Sequence, residues 1–237
     1  TTEGKIIPLT EAKVQGLKGV VIPAHHVVVI ADCDSDSYDA VGQAIFKTKS
    51  VGSGLVKLYD QNGKGYGDWD VEDPTSESGW KYTKRQGITD EWYGGAYTMF
   101  FMVPVEVTFS IVIDVVKNKY SSDVKSLIAD VKKWIHQWAL GNIDGVDGLG
   151  VNQPIYSHEC AAAVSAAIPE IKIMDCGLYE CNGSDLHEDE SGTIIPPEGV
   201  TRKSKIQVNC IQKGNIVDDN IIVRVFDAIG TRLLPSS

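Results

Sequence analysis

From Val103 to Val115, apolar side chains fall on every second residue: Val103, Val105, Val107, Phe109, Ile111 and Ile113 alternate along VPVEVTFSIVIDV. That is the period of a strand with one buried face, and the unbroken run predicts one long strand. Glu106, Thr108 and Ser110, then Val112, occupy the other face, so the strand should start half solvated and end more deeply covered. The period then changes. Val124, Leu127, Ile128, Val131, Trp134, Ile135 and Trp138 follow the i, i+3, i+4, i+7 rule of an amphipathic helix. Ser122 is the expected N-cap, Asp123 suits the first turn of the helix dipole, and Gly141 with Asn142 supplies the stop. Such a helix, on the order of 30 Å long, can lie across a sheet.

On the N-terminal side, VVIPAHHVVVIADC predicts a strand that Pro23 delays until about His26. Asp34, Ser35 or Asp36 then caps a helix from Ser37 to Thr48 with Tyr38, Val41, Ala44, Ile45 and Phe46 inward. Residues 59–98 differ in character, being rich in Gly, Asp, Ser, Trp and Tyr. Asn62-Gly63 is a hairpin turn signal, and the segment reads as a hairpin plus a long excursion. On the C-terminal side, Pro154 predicts the first turn of a second helix in IYSHECAAAVSAAI, ended by Pro169. IKIMDCGLYEC, KSKIQVNCIQ and IIVRVFDAIG read as strands, and NGSDLHEDESG as an acidic hairpin or loop.

This order predicts an α+β fold: largely antiparallel sheets with helices packed on one face, in two α/β subdomains. Residues 1–100 would form an N-proximal domain with the 59–98 insertion, and residues 101–237 a C-terminal domain of strand, helix, helix, strand, strand. The 237 residues are enough for one large or two modest cores. A net charge of −10 argues against nucleic-acid binding, which needs a basic stripe. No apolar run approaches the ~18 residues of a membrane helix. Cys33, Cys160, Cys176, Cys181 and Cys210 are odd in number and scattered, which points to reduced thiols.

The polar constellations each have a plain alternative. Asp32, Asp34 and Asp36 have the spacing of a calcium-loop start, but the glycine and distal glutamate of that loop do not follow, and a helix cap explains them. Asp60-Gln61-Asn62-Gly63-Lys64-Gly65 puts a lysine where an oxygen ligand belongs, so a turn explains it. His158, Glu159 and Cys160 are consecutive on a helix and point about 100° apart, so they do not converge unaided. Cys176 and Cys181 with His187 or Cys210 could hold zinc, although buried inert thiols are the simpler reading. His25-His26 reads as a turn, and Trp134 and Trp138 as core. No catalytic, metal-binding or cofactor-binding residue is assigned, and no cofactor is expected. A hydrolase using His158 with a thiol or a zinc site, and a carbohydrate-binding module built on the aromatics of residues 66–97, remain as competing readings.

Two separated stretches carry a family resemblance. VIPAHHVVVIADC followed by AVGQAIFKTKSVGSGL is similar to a run in baseplate J-like proteins of contractile phage tails, through Ile22, Pro23, His25, Gln43, Ala44, Ile45, Lys47, Lys49, Gly52 and Gly54. The C-terminal part resembles the same family through Val103, Pro104, Val105, Tyr156, Ser157, Ala162, Ile168, Pro169 and Ile171. There a Val-Pro-Val strand leads to a helix, then a Tyr-x-Ser helix, a turn and a closing strand. Ala24, His26 and Glu170 depart from the family pattern, as does the long aromatic segment at 59–98. The resemblance implies a C-terminal fragment of a structural baseplate-wedge protein, located in the virion tail and assembled in the host cytoplasm. It implies homodimers, contacts with a tail protein I-like wedge subunit and other baseplate proteins, and no catalytic residues. On that reading the glycines from Gly141 to Gly150 would form a hinge.

Overall fold

The computed structural model describes residues 26–48, 54–55, 81–89, 96–117, 123–143, 147–190, 192–209 and 212–235. Residues 1–19, Pro23, His25, the Asn62-Gly63 turn and Cys210 lie outside the described residues. The fold is α+β. It divides into two compact units, Thr1–Val105 with Asn209–Gln212, and Glu106–Val208 with Lys213–Ser237.

In the first unit, α1 spans Tyr38–Thr48 after a 3₁₀ turn at Ser35–Ser37. Strand Lys81–Thr89 pairs antiparallel with Ala96–Val103. Ile45, Met99 and Phe101 are buried together, with Val41 and Phe46 packed against them. Tyr38 meets Phe101 edge-on, with ring centroids 5.5 Å apart. Ala44, expected inward, is exposed, and Gly42 is buried instead. The first predicted strand shrinks to His26–Val27, paired in parallel with Gly54–Leu55.

The second unit is built on a four-stranded sheet. Its central strand, Ser110–Lys117, pairs antiparallel with Ile171–Tyr179 and parallel with Ile221–Phe226, which turns back onto Arg232–Leu233. The sheet is thus mixed, because the last long strand arrives beside the central one in the same direction. The predicted thirteen-residue strand is broken: Val103 ends the preceding hairpin, Val105–Thr108 pairs with Gln212–Asn215, and only Ser110–Lys117 enters the main sheet. The break falls at Phe109, which is fully buried where the chain changes partners; a Cβ on Gly214 would lie 3.2 Å from its ring. The expected change in solvation is present, with Glu106 and Thr108 exposed and residues 110–116 buried.

Helix α2, Val124–Ala139, forms where the 3.6-residue period predicts it. Its N-cap is Asp123, one residue beyond the expected Ser122: the Asp123 carboxylate accepts from the Ser126 N–H at 2.6 Å. That bond, together with Lys117 and Lys125, holds the Asp123 carboxyl below the usual aspartate range. At the other end Gly141 takes φ +70°, its N–H bonding to the Trp138 carbonyl and that of Asn142 to Gln137. Gly148 packs backbone to backbone on this cap, since a Cβ there would come within 2.4 Å of the Gly141 nitrogen. Close approach explains this glycine without invoking a hinge.

Helix α3 spans Ser157–Ala167. Pro154 is not in its first turn, because Ile155 and Tyr156 are first drawn into a short ladder with Lys205 and Ile206. Pro169 ends the helix region as predicted, while Ile168, expected inside the helix, is its C-cap. Ile111, Ile113 and Val115 on one face of the central strand share a core with Leu127, Val131, Ile135, Trp138, Ala163 and Val164 of the two helices. Each buried Val, Leu or Ile among them contributes about 1.5–3 kcal/mol by burial. The opposite face carries a smaller cluster of Val112, Tyr179 and Leu186, with Ile194 and Ile222 against it. Among the described residues no helix is long and apolar enough to cross a membrane.

Candidate functional site

The polar chemistry of the second unit gathers on the sheet face away from the helices. Asp114 interrupts the apolar central strand and Arg224 interrupts IIVRVF, and register places them directly opposite one another. Arg224 donates through Nε and Nη2 to both Asp114 carboxylate oxygens, each at 2.6 Å, and through Nη1 to the Gly192 carbonyl. All three of its guanidinium nitrogens are therefore engaged. Asp175 lies beside Asp114 on the next strand and receives Arg202 Nη2. Lys203 pairs with Glu180 and Arg232 with Glu188.

The acidic segment predicted as a hairpin or loop is a hairpin, with His187–Glu188 against Ile194–Ile195. Gly192 closes its turn at φ +82°, where a side chain would be strained. Through Gly192 and Glu188 it is fastened to Arg224 and Arg232 of the last two strands. Between this hairpin and the sheet lies a cavity of about 370 Å³, floored by Val112 and Tyr179 and edged by Arg202 and Asp175. Burial pushes the Tyr179 phenol above the usual tyrosine range; Arg202 works against this and Asp175 with it. At neutral pH the hydroxyl is a neutral donor.

Among the described residues, His158, Cys176, Cys181 and His187 are not brought together. His158 is exposed beside the Tyr156 ring, at 5.2 Å between centroids, whereas Cys160, two positions on, is wholly buried. Cys176 packs into the helix-side core and Cys181 into the opposite cluster, so the sheet itself separates them. The Cys160 thiol instead lies beside that of Cys176, and this neighbour and burial push it well above the usual thiol range. His187 is exposed on the hairpin. Among the described residues no three His, Cys, Asp or Glu side chains are grouped to hold a metal ion. At the acidic start of α1, the Asp34 carbonyl receives the Ser37 N–H and closes the turn. Trp138 is core and Trp134 packs against it.

The sequence reading passed over Asp114, Arg224, Asp175, Arg202 and Tyr179. A signal was available for the first two: lone charges of opposite sign in two apolar strands need partners if the strands are buried. Arg202 gives no such signal, because it sits in a polar stretch. No family model matches the chain, and no curated protein matches it.

Proposed function

We propose that the chain is a structural subunit of a contractile-tail baseplate wedge, acting through contacts with a second copy of itself, with a tail protein I-like subunit and with other baseplate proteins. The observation that carries the reading is the order of elements in the second unit. A strand following Val103-Pro104-Val105 leads to α2, then to α3 behind Tyr156-Ser157, then past Pro169 to a strand at Ile171. That is the succession on which the likeness to baseplate J-like proteins rests. On this reading the chain has two α/β subdomains, residues 101–237 supply the dimer and ring contacts, and residues 59–98 are a specialised insertion. Large apolar side chains at the surface, Ile229 at 88% exposure and Leu234 at 73%, are available for such contacts.

The test is co-expression with the products of adjacent tail reading frames, followed by affinity capture and light scattering. A homodimer that also captures a wedge subunit supports the proposal. A chain that stays monomeric at all concentrations and captures none of those products refutes it.

A further inference from the structure

On the sheet face away from the helices, Gly177 stands opposite Val112. Its missing side chain leaves a depression that Arg202 enters: a Cβ on Gly177 would meet Arg202 Nε at 2.6 Å and its Cγ at 3.1 Å. The stem therefore lies flat on the strand, while Nη2 is held by Asp175 and sits 3.4 Å from the Cys176 carbonyl. Among the described residues Nε and Nη1 of Arg202 have no protein acceptor. The contrast with Arg224 is sharp, for all three of its guanidinium nitrogens are used. Both arginines line the cavity, but Arg224 is clamped through three nitrogens and Arg202 is pinned through one.

That cavity of about 370 Å³ has an apolar lining of Val112, Tyr179, Ile194 and Pro196 beside the Arg202 head. Its volume sits at the small end of ligand pockets, enough for one branched or aromatic side chain. We propose that it binds a carboxylate carried on an apolar group, with the carboxylate on one unused Arg202 nitrogen and the apolar group over Val112 and Tyr179. Because Asp175 already holds Nη2, which both two-pronged edges of the guanidinium share, the carboxylate is met by a single charged N–H donor and recognised by charge more than by shape. The neighbouring Asp175 and Asp114 favour a monoanion over a phosphate dianion, which they would repel more strongly. Arg202 is half exposed, so affinity is expected in the millimolar range, roughly. The site stands on its own geometry and goes beyond the assembly reading.

The experiment is titration of the full chain, followed by calorimetry and NMR, with N-acetylphenylalanine, with N-acetylphenylalaninamide and with inorganic phosphate. The acid should bind at least about tenfold more tightly than the amide or phosphate, a discrimination of about 1.4 kcal/mol. Arg202→Gln should abolish that preference while leaving the thermal melt nearly unchanged, and Arg202→Lys should restore only part of it. A peptide ending in phenylalanine with a free carboxylate, compared with its amidated form, identifies the source. Preferential binding of the free-ended peptide assigns a chain end, and binding of the acetylated amino acid without the peptide assigns a small free acid. Equal affinity for acid and amide, tighter binding of phosphate, undiminished binding by Arg202→Gln, or no binding of the acid up to ~10 mM would each overturn the proposal.

Discussion

Asp114 and Arg224 face one another across the parallel strands at the centre of the second unit, joined by two bonds of 2.6 Å and both largely withdrawn from solvent at 11% and 13% side-chain exposure. A pair so placed has lost most of its hydration, and each charge is tolerable only while the other is present. Arg224→Met, which strands the carboxylate, should cost about 3–5 kcal/mol in urea unfolding. The paired change Asp114→Leu with Arg224→Met should recover much of that loss, since two apolar groups of similar volume leave no buried charge. A double variant as unstable as the single one would contradict this account. Arg224→Met should also raise amide exchange in the 187–195 hairpin, whose Gly192 carbonyl loses its donor.

Gly183 and the 3₁₀ turn at Asp218–Asn220 touch backbone to backbone. A Cβ at Gly183 would lie 2.0 Å from the Asp219 carbonyl oxygen, and the Gly183 N–H donates to the buried Asn220 Oδ1 at 2.8 Å. Gly183→Ala must push the two turns apart and weaken that bond. A loss of about 1–3 kcal/mol, read from chemical denaturation, is expected. An unchanged midpoint would mean that the turns separate freely.

Helix α2 is tied to the same turn by His136 Nε2, 2.6 Å from Asp218 Oδ1, and by Lys132 Nζ, 2.7 Å from the Asp218 carbonyl. The His136 bond, aided by Lys132, holds the Asp218 carboxyl below the usual aspartate range. A carboxyl depressed in the folded state adds stability that is fully present above its unfolded value and is lost as the pH falls through the folded one. Asp218→Asn should therefore be less stable than wild type at neutral pH, with the gap closing on acidification below the ordinary aspartate range. Because Asp218 is largely exposed, the gap should be small and should shrink in salt. Melting curves across an acid series, at low and high salt, check it.

The thiols should react in order of access and acidity. Cys160 is fully buried and its thiol is held well above the usual range by Cys176 and by burial, whereas Cys33, Cys176 and Cys181 are each partly exposed. Iodoacetamide at neutral pH should leave Cys160 unmodified in the folded chain and alkylate it once denaturant is added. Peptide mass spectrometry reads the outcome, and early labelling of Cys160 would show that α3 opens locally at low cost.

The local period was enough to place α2, because a buried helix stripe imposes its spacing, while α3 was legible from an alanine-rich run closed by Pro169 and the Ile171–Tyr179 and Ile221–Phe226 strands from their apolar runs. Gly141 was legible as a helix stop for the same kind of reason, a left-handed residue that glycine adopts without strain. Other features depended on partners distant in the chain. The long apolar run divides at Pro104 and again at Phe109 because its parts pair with different strands, and alternation along a single segment carries no record of a change of partner. The parallel direction of Ile221–Phe226, the diversion of Ile155 and Tyr156 into a ladder before α3, and the separation of Cys176 from Cys181 by the sheet all follow from that pairing. So does the seat of Arg202, whose stem lies where a side chain on Gly177 would be. The sequence by itself determined the two helices α2 and α3 and the strands at Ile171–Tyr179 and Ile221–Phe226, since those choices are made by neighbours along the chain. Tertiary structure decided which charges meet and which thiols part, since those are set by register and by which face of the sheet each residue occupies.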